Sequence, residues 1–413
     1  MIRSMSSALS GLRNHQLQLD VIGNDIANVS TVGFKGSTTV FSDVLSQTLN
    51  GATAPGGNTA GQNPAQVGLG SRLIGTLQSQ GQGALQRTGR STDLAIQGDG
   101  FFVVNDSDVQ VYTRNGSFVI DGDGRLATID GLLVQGWQAD ATGLLDTNSD
   151  KSPVEIQAGN LLPPVPPPTL STTGTLARTV AIGETTTMGL TIFSDTGEEL
   201  LLSITFEKTA VDQWTASAVV GDPAVAVTLT DNVLTFDSSG ELTAPADAGI
   251  DIAGGAIAGV TAAIEIELGQ PGSPQRITQF AADATATVLN QNGSAAGVLN
   301  SFDIGQDGRV VGTYSNGRIG VIGQLALASF TNPEGLERIG GAWRQSVNSG
   351  LPQLGAPGLG GRGESSAGTL EMSNVDLAEE FTHLIVAQRG FQGNARIITA
   401  SDEILQEVVN LRR

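Results

Sequence analysis

Cysteine is absent from the 413 residues, which excludes a disulfide framework, thiolate chemistry and a cysteine-ligated zinc site. Histidine occurs only at His15 and His383. Neither has a second histidine four residues away, so the H-E-x-x-H zinc pattern is missing. The three lysines, Lys35, Lys151 and Lys208, follow no P-loop glycine, and no G-x-S-x-G elbow occurs. Aromatic residues are 4% of the chain, too few for large aromatic cores. No apolar run reaches eighteen residues, so no membrane-spanning helix is expected. Positive charge is scarce, with 21 basic against 41 acidic residues and a net charge of −20. Such a surface repels nucleic acid and anionic membrane. These absences lead to an expectation of no catalytic residues, no cofactor and no metal.

Two amphipathic stretches stand at the ends. Heptads counted from Leu377 place Leu377, Phe381, Leu384, Gln388, Phe391, Ala395, Ile398, Asp402, Leu405 and Val409 at core positions. Eight of these ten are apolar, the seam of a coiled coil. Ser373 and Asp376 have capping-box spacing, with Glu379 and Glu380 in the first turn and Arg412 and Arg413 at the far end, as the helix dipole favours. At the other end, Met5, Ala8, Leu12, His15, Leu19, Ile22 and Ile26 form a second seam within residues 1–28. That stretch lacks a basic start followed by an unbroken apolar block, so a cleaved signal peptide is not expected. The two seams predict pairing of the first helix with the last, leaving Leu9, Ile385 and Ile397 for other copies of the chain. His15 fits a packed interfacial residue better than a ligand.

Between the helices the pattern is β. Thr92–Val104 and Tyr112–Trp137 hold short alternating strands punctuated by Gly98-Asp99-Gly100, Asp121–Gly124 and Asp130-Gly131 turns. Gly98-x-Gly100 lacks the third glycine of a dinucleotide site. Asp121 and Asp123 suit a turn, because the glutamate of a calcium loop is missing. Asp146, Asn148 and Asp150 begin an EF-hand pattern, but Lys151 stands where glycine belongs. Leu161–Leu170, LLPPVPPPTL, predicts an extended connector outside any sheet. Residues 151–285 carry 16 acidic and 4 basic residues, a net of −12, over several alternating runs. Ser301-Phe302-x-Ile304-x-x-Asp307-Gly308-Arg309 repeats Ser117-Phe118-x-Ile120-x-x-Asp123-Gly124-Arg125. Two related hairpins of one interrupted β-domain are therefore expected.

The fold class that follows is multidomain: terminal α-helices forming a coiled coil, plus two nested all-β domains. The expected boundaries are 1–28 for the first helix and 29–70 for a flexible joint. An inner β-domain takes 71–150 and 286–347, and an outer acidic one takes 151–285. A glycine-rich joint at 348–372 leads to the last helix at 373–413.

Asn24, Ile26, Ala27, Asn28, Thr31, Gly33, Phe34 and Lys35, within ANVSTVGFKG and the helix before it, resemble the amino-terminal signature of the bacterial flagellar rod and hook proteins. The segment from Ser373 to Arg413 is similar to that family's carboxyl-terminal signature, with Gly393 where alanine is usual. The resemblance is strong over 1–45, 92–137 and 370–413. It implies a non-enzymatic structural subunit that forms a helical tube of many copies. It also implies contacts with the rod, the hook cap and the hook–filament junction, and export without a cleaved signal peptide. The large insert at 151–285 points to the torque-transmitting, bendable hook branch over the distal-rod branch. The reading from another class is a secreted β-rich enzyme or carbohydrate-binding protein with helical tails.

Overall fold

The computed structural model describes residues 2–55, 60–107, 109–140, 143–157, 159–221, 225–270 and 272–410. Arg412 and Arg413 lie outside them. Helix α1 spans Ile2–Ala27 and helix α2 spans Leu377–Asn410. The cap of α2 is Asp376 itself, whose Oδ1 accepts the N–H groups of Ala378 (2.8 Å) and Glu379 (3.3 Å). Ser373, expected to share that role, instead accepts the Val375 N–H. A carboxylate has both the reach and the charge for the positive helix end.

The stretch expected as a flexible joint at 29–70 is largely paired. Strands β1 (Ser37–Asp43) and β4 (Ser71–Gln78) form an antiparallel pair, and β2 (Ser46–Asn50) pairs with β3 (Ala65–Gly68). Thr38, Thr39, Val40 and Phe41 in β1, and Ile74 and Thr76 in β4, supply the strand propensity that the glycines around them obscure.

The body of the chain is a 14-stranded sheet built from two separate lengths of sequence. They join where Leu133–Gln138 pairs with Ile319–Leu325, in the register Gly136–Leu325 and Trp137–Gln324, and again where Phe102 pairs with Leu327 and Tyr112 with Trp343. The two motif-related hairpins both belong to this sheet. Their turns match: Asp121 N–H donates to Arg125 O, and Gly305 N–H donates to Arg309 O. Gly124 and Gly308 hold the left-handed conformation at φ 82° and 74°. On one face lie Leu94, Phe102, Phe118, Val134, Val310 and Leu325; on the other, Phe101, Tyr112, Trp137 and Trp343.

A separate core occupies 170–277, around Phe206, Trp214, Leu170, Ile204 and Ile266, between two six-stranded sheets. In Glu199–Ala210 and Gln213–Val220, buried and open positions alternate, as a strand with one wet face requires. The proline-rich connector to this acidic lobe does take part in pairing, contrary to its expected place outside any sheet. Leu161 and Leu162 pair with Val298 and Gly297. Val165, with the only N–H between Pro163 and Pro168, donates to Ser294 O at 3.0 Å and accepts the Ser294 N–H at 2.8 Å. The chain leaves for the lobe and returns from it as two bonded strands.

The glycine-rich stretch at 348–372 is likewise stitched to the body. Gln353–Gly355 pairs with Leu327–Ser329, Glu364–Ala367 with Leu94–Gln97, and Thr369–Glu371 with Leu85–Arg87. Its glycines serve the turns between these pairings, as Gly360 at φ 62° and Gly368 at φ 67° show.

Candidate functional site: the helix pair and its buried joint

The two helices lie side by side and antiparallel. Gly11 faces the Asn394 side chain and Gly390 faces the His15 ring. Nearer the β-body, burial raises the Glu380 pKa and the charge of Asp25 adds to it. A Cβ on Gly390 would overlap the His15 imidazole, whereas one on Gly393 would meet nothing within 4 Å. Gly390 is thus required by close approach, and Gly393 is not.

Of the seam residues read from the sequence, Leu384, Phe391, Ile398 and Leu405 are half-buried on α2, and Leu12, Leu19 and Ile26 on α1, with Ile22 buried. Met5, Leu377, Phe381 and Val409 are exposed. The second row of the α2 seam is displaced by one residue: Gln388 and Asp402 are exposed, while Ala387 and Ser401 are buried.

α1 has a second, polar contact face that its apolar periodicity gave no sign of. Asn14 Nδ2 donates to Ser71 Oγ at 2.8 Å, and Asp25 Oδ2 accepts the Ser37 N–H at 2.8 Å. Both side chains are buried. The Asp25 pKa is raised by desolvation, against the lowering effects of the Ser37 N–H and the Arg338 charge.

The motif residues turn the chain from α1 into the body. Asn28 Nδ2 donates to the Asn24 carbonyl at 2.8 Å, and Thr31 Oγ1 donates to Asn28 Oδ1 at 3.0 Å. Ala27 ends the helix, exposed. Gly33 follows at φ 69°, and a Cβ there would stand 2.6 Å from the Arg114 carbonyl carbon. Phe34 is buried with the Arg338 guanidinium 4.3 Å above its ring.

Lys35 is fully buried and donates to Glu371 Oε1 at 2.6 Å and to Gly81 O at 2.8 Å. Glu371, also fully buried, accepts the Gly83 N–H at 2.9 Å and Arg114 Nη1 at 3.2 Å. Its carbonyl receives the Gly33 N–H at 2.7 Å. Desolvation pulls the Lys35 ammonium below the ordinary lysine range, outweighing the opposing Glu371 contact. Arg114 is pulled down for the same reason, and Glu371 opposes it there too. Asn374 completes the joint. Its Oδ1 accepts the Gly36 N–H at 2.9 Å, while Nδ2 donates to Ser79 O and Gly81 O. Four distant segments, 33–36, 79–83, 114 and 371–374, are locked together under the helices. Of these contributors, sequence reading singled out Gly33, Phe34 and Lys35 and missed Arg114, Glu371 and Asn374.

Carboxylates in the Asp121–Gly124 and Asp146–Asp150 turns bond within the turns themselves. Arg125 occupies Asp121 (2.8 Å) and Asp123 (2.7 Å). Asp146 Oδ1 caps the Asn148 N–H at 2.9 Å. Among the described residues no group of three His, Cys, Asp or Glu could hold a metal ion, and no helix is long and apolar enough to cross a membrane.

Comparison with known proteins follows the same layout. Four family descriptions match: flagella basal body rod protein at 5–35, flagellar hook protein FlgE/F/G D1 domain at 95–187, flagellar basal body protein FlaE D2 domain at 171–294, and flagellar basal body rod FlgEFG protein C-terminal at 366–411. The flagellar hook protein FlgE of Treponema pallidum is 36% identical over 464 residues, covering 100% of both chains. That of Salmonella typhimurium is 35% identical over 426 residues, covering 99% of this chain and 100% of the relative. The flagellar basal-body rod protein FlgG of Bacillus subtilis is 32% identical over 417 residues, again covering 100% of both. In fold, the crystal structure of Helicobacter pylori flagellar hook protein FlgE2 aligns with a TM-score of 0.50 at 14% identity, covering 70% of this chain and 100% of that one. Matched from end to end by hook proteins, and carrying the rod–hook signatures on the two segments that meet at the buried joint, this chain belongs to the flagellar hook protein family.

Proposed function

We propose that copies of this chain stack through their terminal helices into the tube of the flagellar hook, with α1 and α2 as an inner coiled-coil layer. The 14-stranded body forms the next layer and the acidic lobe the outer surface. The tube bends while transmitting motor torque, and its two ends meet other axial proteins of the flagellum: the rod, the hook cap and the hook–filament junction. One observation carries this reading. The α1–α2 pair uses a single stripe of each helix, and apolar residues remain exposed on the rest: Met5, Leu9 and Leu17, and Phe381, Ile385, Val386, Ile397 and Ile404. A two-helix unit with that much open apolar surface needs further helices around it. The charge distribution supports the layering, since the lobe with a net −12 is best left facing water.

The test is assembly. Purified protein brought to high concentration or salt forms tubes visible by electron microscopy. Phe381→Asp with Ile385→Asp, both on exposed positions, leaves the β-cores folded by near-ultraviolet circular dichroism and abolishes the tubes. Tubes formed by that variant would overturn the reading.

A further inference from the structure

We infer that Glu371 is a closing key: until it docks, neither end of the chain can settle on the β-body, and both ends then dock in one cooperative step. Every group that this carboxylate satisfies comes from elsewhere. Lys35 is 336 residues away, Gly83 is 288 away and Arg114 is 257 away. Lys35 arrives on the segment that follows α1, and Arg114 belongs to the body. Glu371 arrives on the strand that leads into α2.

Without Glu371, two cations would share a sealed site with only carbonyl oxygens as partners, at Gly81 for Lys35 and Gly98 for Arg114. Asp99 is the other carboxylate whose charge reaches both cations, and it is bonded to neither, so one unpaired carboxylate would be left against two buried positive charges, which is costly. Lys35 would swing to solvent and carry 33–36 off the body. The Asn374 amide spans the same gap, holding Gly36 against Ser79 and Gly81, so 371–376 and 33–36 release together. The acidic lobe has its own core and shares none of these contacts. The chain therefore has an open state, with the lobe folded and both ends free, and a closed state. A chain of which only the first 370 residues are present can reach the open state alone. Its first helix is then not held in the direction it has in the finished subunit, which guards against unfinished copies joining an assembly.

Hydrogen exchange by mass spectrometry on the full chain at low concentration tests this. Glu371→Gln keeps the shape and removes the charge. Peptides covering 29–50, 71–90 and 366–380 should exchange at least tenfold faster and in step, with peptides from 200–220 unchanged. Asn374→Ala should loosen the same three segments by a smaller factor. The inference is overturned if acceleration stays within 366–380, if 200–220 accelerates as well, or if Asn374→Ala loosens only its own segment.

Discussion

The subunit has two tethers, and they hold by opposite means. The proline-rich connector to the acidic lobe is open and uncharged, fixed by backbone stiffness and the Val165–Ser294 bonds. The joint beneath the helices is sealed and ionic, fixed by side chains from three parts of the chain and the backbone of a fourth. Stiffness in the first is local and survives the loss of a single bond. In the second it is collective, because removing one charge strands the others.

The largest test of this contrast is Glu371→Ala, expected to destabilise the joint by about 3–5 kcal/mol, the cost of an orphaned buried charge. Chemical denaturation followed by exchange should show early opening at 29–50, with the lobe transition unmoved. Next, Leu234→Ala in the lobe core should cost about 2–5 kcal/mol and act in the reverse sense, lowering the lobe transition alone. If either substitution moves both transitions equally, the tethers do not separate the two regions. Val165→Pro deletes the connector's N–H and should cost only about 0.5–1.5 kcal/mol. Faster exchange of the Ser294 amide, with an unchanged lobe, would report it.

Asp25 sharpens the picture by pH. Its pKa is raised on folding, so its favourable contribution is complete below the ordinary carboxylate value and is lost as pH rises through the raised one. Glu380 beside it is raised as well, first by desolvation and then by Asp25, with His383 opposing. Asp25→Asn should therefore flatten the fall in joint stability from about pH 4 upward, read from denaturation midpoints across that range. A slope equal to that of the parent would show that Asp25 titrates as it does in the unfolded chain. Smallest of all, Arg125→Gln opens the surface turn contacts to Asp121 and Asp123 and should leave the denaturation midpoint within error of the parent.

The helices were legible because an apolar stripe of that length has few other meanings, and the body strands because Gly-Asp turns mark their ends. The second seam row was misplaced because heptads anchored on Phe381 and Val409 run through Gln388 and Asp402, while the buried positions one residue earlier are the small Ala387 and Ser401. Pairing in 348–372 was hidden by glycines that serve the turns between short strands. The joint was half legible. Lys35 stands in a recognisable motif, but nothing near Arg114 or Glu371 reveals that they converge on it. Contacts spanning 257 and 336 residues leave no local trace.

Because Leu162 and Gly297 sit across from each other in the sheet, the whole acidic lobe hangs from a single doorway. A short turn joining those two residues would replace it without disturbing the register of the strands on either side. The appendage can thus be trimmed, enlarged or exchanged at that one crossing, while the joint beneath the helices, where distant segments must meet, leaves far less room for editing.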